Sequence, residues 1–243
     1  MLRLFQVVCL LIFSSIIFSS TFAGSQTEAP AVVTFTIDFP TSQPEHYSIR
    51  VQSDGLAHYQ SSGRRSPDSD ETDSHETNSD ETDSHETNSH DNDSFALDFT
   101  VAAETRLKIF ELAAKAGYFQ KDVDSHHKGL AFTGKKTLAY KDAQRSGEST
   151  YNYSLKPAVQ DITSLMQSLS ATLEFGHRLQ YDHQYQKLAL DEELKRMEGL
   201  ARNNELIEVA AIQPILDQII ADQSVINVTR ARAQRLLERA GVR

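Results

Sequence analysis

Hydrophobic residues in this chain recur at two different spacings, and each spacing occupies its own blocks of sequence. Up to residue 101 they alternate with polar ones: 32–39 (VVTFTIDF), 47–52 (YSIRVQ), 56–61 and 95–101 (FALDFTV) put every second side chain on one face, as strands do. From residue 103 the dominant spacing lengthens to three and four, the period of amphipathic helices. A run of neighbouring strands followed by a run of helices predicts an α+β fold built on an antiparallel sheet. We expect about five strands, packed by helices and followed by a C-terminal helical extension.

Local signals place the turns. Ser53, Asp54 and Gly55 tolerate positive φ and join 47–52 to 56–61 as a hairpin. Residues 103–116 read as a helix with Leu107, Phe110 and Ala114 inward. Gly117 is its left-handed stop, and Tyr118 and Phe119 supply the hydrophobic contact that follows. A second hairpin is expected from 137–140 and 149–155 around a polar turn at 144–147. Pro157 opens a helix whose stripe is Ala158, Ile162, Leu165, Met166, Leu169 and Leu173. Further helices are expected at 191–202, at 205–221 with a break near Pro214, and at 229–240, where Val228, Ala231, Leu236, Leu237 and Ala240 make an apolar face.

One segment carries the charge of the whole chain. The net charge is −10, from 34 acidic and 24 basic side chains, and residues 66–94 hold eleven of the acids and no base. Without them the balance is 23 to 24, or +1. Within the segment SDETDSHETN occurs at 69–78 and again, unchanged, at 79–88. A repeat with no hydrophobic side chain has no surface to bury against chain entropy, so 66–94 is expected to be a disordered acidic insert between two strands. The sheet domain is then 24–65 with 95–156, and 157–243 is a helical region packed on the sheet or following it.

Residues 1–23 read as an export signal: Arg3, an apolar stretch from Leu4 to Phe18, and the small-residue pattern Thr21-Phe22-Ala23 before the expected cleavage. Cys9 lies inside it, so the mature chain is expected to have no cysteine, no disulfide and no transmembrane span.

The order hairpin, strand, helix ending in Gly-Tyr-Phe, hairpin, helix, with the phrases YSIRVQSDG at 47–55 and AGYF at 116–119, resembles small exported bacterial domains of unknown function over residues 32–173. That resemblance implies an exported α+β domain and brings no catalytic residues with it.

Four patterns approach known chemistry. Gly129 to Lys136 (GLAFTGKK) nearly spells a phosphate-binding loop, but Lys136 stands where the magnesium-binding hydroxyl belongs. Ser125 and Lys128 have the Ser-x-x-Lys spacing of penicillin-recognising hydrolases, without the partner motifs that chemistry needs. Glu174 and His177 form a Glu-x-x-His pair on one helical face, half of a dinuclear metal motif, with Asp182 and His183 as possible recruits. In the insert Asp73, His75, Asp83, His85 and His90 could gather divalent cations weakly and without selectivity, since no glycine turn organises them. Arg230, Arg232, Arg235, Arg239 and Arg243 make the last helix basic, which a packed helix with cations near its C-terminus explains better than a site for an anionic membrane or nucleic acid.

The expectation from sequence is thus an exported, non-enzymatic binding or scaffolding protein of the cell envelope. Its partner would be a protein or envelope component and not nucleic acid, and it needs no cofactor beyond weak divalent cation. The alternatives are a hydrolase whose site assembles from distant residues, and a cation-binding protein acting through the Asp/Glu/His repeat.

Overall fold

The computed structural model describes residues 29–64 and 92–241. The expected export signal and the repeats at 69–88 lie outside them. Six strands form one antiparallel sheet: β1 (Val32–Asp38), β2 (His46–Gln52), β3 (Leu56–Arg64), β4 (Asn92–Thr100), β5 (Lys135–Lys141) and β6 (Ser146–Tyr151), in the order β4-β3-β2-β1-β5-β6. The α+β class is as the periodicity indicates.

Register follows the hydrophobic alternation. Phe35 of β1 lies opposite Ile49 on one side and Leu138 on the other, and Tyr59 lies between Ile49 and Leu97. Because partners across an antiparallel sheet share a face, these pairs put one continuous apolar surface on one side. Short polar side chains such as Thr36, Ser48 and Thr137 line the other.

Among the described residues, helices cover only the apolar side. Helix α1 (Ala103–Lys115) and the 29-residue α2 (Pro157–Tyr185) pack on each other and on the sheet. Helices α3 (Leu190–Arg202), α4 (Gln213–Ala221) and α5 (Asn227–Arg239), with a 3-10 turn at Val209–Ile212, form an outer layer on α2. Helix α2 therefore carries two buried stripes. Val159, Ile162, Met166, Leu169 and Leu173 continue the expected one, and Thr172, Phe175, Gly176 and Leu179 form a second. Gly176 allows the close approach of the 3-10 turn: a Cβ there would lie 2.4 Å from Ile212 Cγ2. A single buried cluster runs from Val33 in the sheet to Leu237 in α5, so the helical region is packed on the sheet.

Several expectations are corrected. The inward face of α1 is Ile109, Leu112 and Ala113; Leu107 is 66% exposed and Ala114 points outward. Both stripes have helical spacing, and contact with the sheet and α2 selects between them. The second hairpin turns earlier than expected, because the Asp142 carboxylate accepts the amides of Gln144 and Arg145 and closes the turn at 142–145. Strand β6 consequently ends at Tyr151, and Leu155 is 70% exposed outside it. Residues 205–208 are not helical: Asn204 and Glu208 have positive φ, and Pro214 sits in the first turn of α4 where a break within a longer helix was expected. On α5 the buried residues are Thr229, Ala233, Leu236 and Leu237, while Val228, Ala231 and Ala240 face outward. Gly117 is left-handed at φ 69° as expected, and Phe119 is fully buried after it.

The insert's boundary at 94 also moves. Ser62, Gly63 and Arg64 pair with Ser94, Asp93 and Asn92, because backbone ladder bonds do not require apolar side chains. Strands β3 and β4 are thus a hairpin that spans the insert. Joining Arg64 to Asn92 through Asn-Gly is expected to leave the melting temperature unchanged or to raise it by a few degrees. So large a shortening removes about 2 kcal/mol of closure cost, and Asn-Gly suits a two-residue hairpin turn. A fall of more than about 5 °C in a thermal melt, over 1 kcal/mol at this chain length, would show that the removed residues support the fold.

Candidate functional site

Alternation along β3 turns Ala57, Tyr59 and Ser61 inward, and Ser61 is the polar member of that series. Helical spacing puts Ser170 and Glu174, one turn apart, on the stripe of α2 that meets them. The Tyr59 hydroxyl donates to Glu174 Oε1 at 2.7 Å, and Ser61 Oγ donates to the same oxygen at 2.7 Å. Ser170 Oγ lies 3.0 Å from the Tyr59 oxygen and donates there, since the phenol's single proton is committed to Glu174. Glu174 Oε2 is 3.9 Å from His177 Nδ1, and the His177 ring stacks on Phe95 of β4 at 4.3 Å between centroids.

The electrostatics follow from burial. Desolvation pushes the Glu174 carboxyl up, but His177, Ser61 and Tyr59 together outweigh it and hold the group below the ordinary glutamate range. The Tyr59 phenol is driven far up, first by burial and then by the Glu174 charge, so it remains a donor.

A carboxyl depressed in the folded state adds stability that is complete above its unfolded value of about 4.3 and is lost as the pH falls through the folded value. Glu174→Gln keeps an acceptor oxygen for the two hydroxyls but cannot titrate. Its melting temperature is therefore expected to fall less steeply than the parent's between about pH 5 and pH 3. Parallel curves for the two proteins would count against an ionised Glu174.

Beside this cluster a groove of about 480 Å³ opens between α2 and the connection from β1 to β2. Ile37, Phe39, Pro44 and Tyr47 wall one side; Ala171, Glu174, Phe175 and Arg178 line the other. The Arg178 guanidinium sits over the Phe175 ring at 4.5 Å and bonds Glu193 of α3. Phe132, 58% exposed, packs edge-on against the groove residue Phe39.

The remaining motifs are resolved by their surroundings. Lys136 lies at the start of β5, and its buried ammonium is within 3.3 Å of four oxygens, from Thr133, Gly134 and Asn152, so it is tied to the loop before it and to the end of β6. Ser125 Oγ accepts the His127 amide in an irregular loop. A second, polar cavity of about 410 Å³ adjoins that loop; its Asp122 and Asp124 carboxylates accept loop amides and contact His126. His183, about two and a half turns of helix beyond Glu174, bonds Asp222 at 3.0 Å and does not join it. Glu174 and His177 are brought together, but strand hydroxyls complete their surroundings where the metal motif needs a second Glu-x-x-His pair.

Asp73, His75, Asp83, His85 and His90 lie outside the described residues. Among the described residues no three His, Cys, Asp or Glu side chains are grouped as metal ligands. Arg232 and Arg235 of the basic helix bond Glu198, and Arg232 also bonds Asp191, both on α3. The acids that Arg232 and Arg235 meet thus lie more than 30 residues away, outside the helix whose charges were counted.

Comparisons of the chain with protein-family models and with curated proteins found no match. No described helix is long and apolar enough to cross a membrane.

Proposed function

We propose that this is an exported, non-enzymatic binding module of the cell envelope, and that the groove beside Glu174 is its binding site. The observation that carries the proposal is the groove itself. Its volume falls in the range of roughly 300–1,000 Å³ usual for small-molecule sites, and it joins aromatic walls to a few polar groups held on a helix and a sheet. Export is supported by the pattern of residues 1–23 and by the resemblance over 32–173.

The rival reading, a hydrolase assembled from distant residues, is favoured by one juxtaposition: a serine hydroxyl, a carboxylate and a histidine meet at Ser61, Glu174 and His177. Three features weigh against it. Ser61 is 3% exposed, its proton points at the carboxylate with no imidazole between them, and Glu174 is held below its ordinary range where a general base is tuned upward.

Two measurements test the proposal. Ligand-observed NMR with a fragment library should find binders to the full chain that are lost in Ala171→Phe, which fills the groove from an exposed helix position. Screening against ester, peptide, phosphate and glycoside substrates should give no turnover above a heat-treated control. Turnover abolished by Ser61→Ala or Glu174→Gln would replace this reading with the hydrolase. For localisation, expression in a bacterium should deliver the protein to the periplasm without residues 1–23, and retention in the cytoplasm would defeat the export proposal.

A further inference from the structure

The groove holds a carboxylate whose circumstances differ from those of its peers. Glu193, Glu198 and Asp142 have side chains 8%, 14% and 14% exposed, and each meets an arginine: Arg178 and Arg196 for Glu193, Arg232 and Arg235 for Glu198, and Arg145 for Asp142. That is the usual condition for burying a charge. Glu174 is equally withdrawn, at 12%, yet it meets no arginine: its partners are the neutral hydroxyls of Tyr59 and Ser61 and the His177 imidazole, 3.9 Å away. Arg178, the one arginine lining the groove among the described residues, is directed onto Glu193 and the Phe175 ring, so its charge is already matched. The groove thus presents an anion set among the aromatic rings of Phe39, Tyr47 and Phe175.

We propose that the groove binds a small organic cation, a protonated amine on an apolar body, with Glu174 as its counter-charge. The inference rests on the groove being the binding site. The amine supplies a full positive charge where Glu174 meets an imidazole and hydroxyls but, among the described residues, no arginine or lysine, ring faces favour a cation through their quadrupoles, and the apolar walls take the body of the ligand. The volume suits a small molecule, which is why the occupant is taken to be one and not a protein segment.

The test uses the full chain and three probes of one shape: 2-phenylethylamine, 2-phenylethanol and 3-phenylpropanoate, titrated by ligand-observed NMR at pH 7. The amine should bind about tenfold more tightly than the alcohol, the difference expected of one charge-assisted hydrogen bond, and the propanoate more weakly than either. Glu174→Gln should reduce the amine to the affinity of the alcohol, and Ala171→Phe should abolish binding of both. Equal affinity for amine and alcohol, or an amine preference that survives Glu174→Gln, would overturn the cation inference while leaving a groove blocked by Ala171→Phe as the binding site. Failure of every probe to bind, or binding indifferent to Ala171→Phe, would overturn both. Should Glu174→Gln fail to fold, the comparison of probes on the parent protein still decides.

Discussion

Phe35→Ala should lower the melting temperature by about 6–20 °C and do so in one transition for the whole molecule. Phe35 is fully buried on the central strand β1, opposite Ile49 and Leu138 and 5.9 Å from the Tyr47 ring. Truncating such a phenylalanine costs about 3–5 kcal/mol in lost transfer energy and residual cavity. At this chain length each kcal/mol corresponds to roughly 2–4 °C. The more informative part is the shape of the melt. Because one apolar cluster joins β1 to α5, the lesion in the sheet should destabilise the helices equally. Far-ultraviolet dichroism, dominated by the helices, and near-ultraviolet tyrosine signals, which include Tyr47 and Tyr59 on the sheet, should shift together. A helical transition that stays at the parental temperature would show that 157–241 is a separate cooperative unit.

Gly147→Ala should be nearly as damaging, by about 3 kcal/mol, although it adds a single methyl group. In β6 a Cβ at this position would lie 2.3 Å from the Tyr118 carbonyl oxygen and 2.8 Å from the Gln120 amide nitrogen. Both are backbone atoms, so no rotamer change relieves the contact, and the cost falls at the upper end of the 1–3 kcal/mol typical of overpacking. The obstructing segment cannot retreat easily. Gly117, Tyr118 and Phe119 all have positive φ, and Phe119 is fully buried. A fall in melting temperature of about 6–12 °C is expected. Gly199→Ala is the matched control: nothing lies within 4 Å of a Cβ there, inside α3, and alanine's helix propensity should raise stability by up to about 1 kcal/mol. Equal effects at the two positions would refute the packing argument.

These two residues also separate what could be read in the chain from what could not. The inward placement of Phe35 follows from alternation in 32–39, since a strand buried on one face has only one register that hides its apolar set. The same reasoning located Tyr47, Ile49 and Val51, and the helix-stop signal located the left-handed Gly117. Nothing beside Gly147 in sequence announces that the 118–120 segment crosses it, because that contact joins elements nearly 30 residues apart.

Local periodicity therefore determined the class of the fold, the facing of the central strands and the approximate extent of most helices, because those properties depend on neighbours one to four residues away. Where two local solutions were nearly equal, tertiary contacts chose. Helix α1 could have buried Leu107 or Ile109, and the sheet and α2 took Ile109. The turn at 142–145 was set by the Asp142 carboxylate, and α5's arginines found Glu198 across the outer layer. The candidate site belongs wholly to this second category. Glu174 and His177 could be noticed as a pair, and Ser61 as a polar residue in an inward register, but each is locally consistent with several roles. Their chemistry was decided when the sheet carried Tyr59 and Ser61 against α2, over a sequence separation of more than 100 residues. A buried carboxylate acquires its character from the charge and hydrogen-bond donors around it, and for Glu174 only the folded packing brings those donors into place.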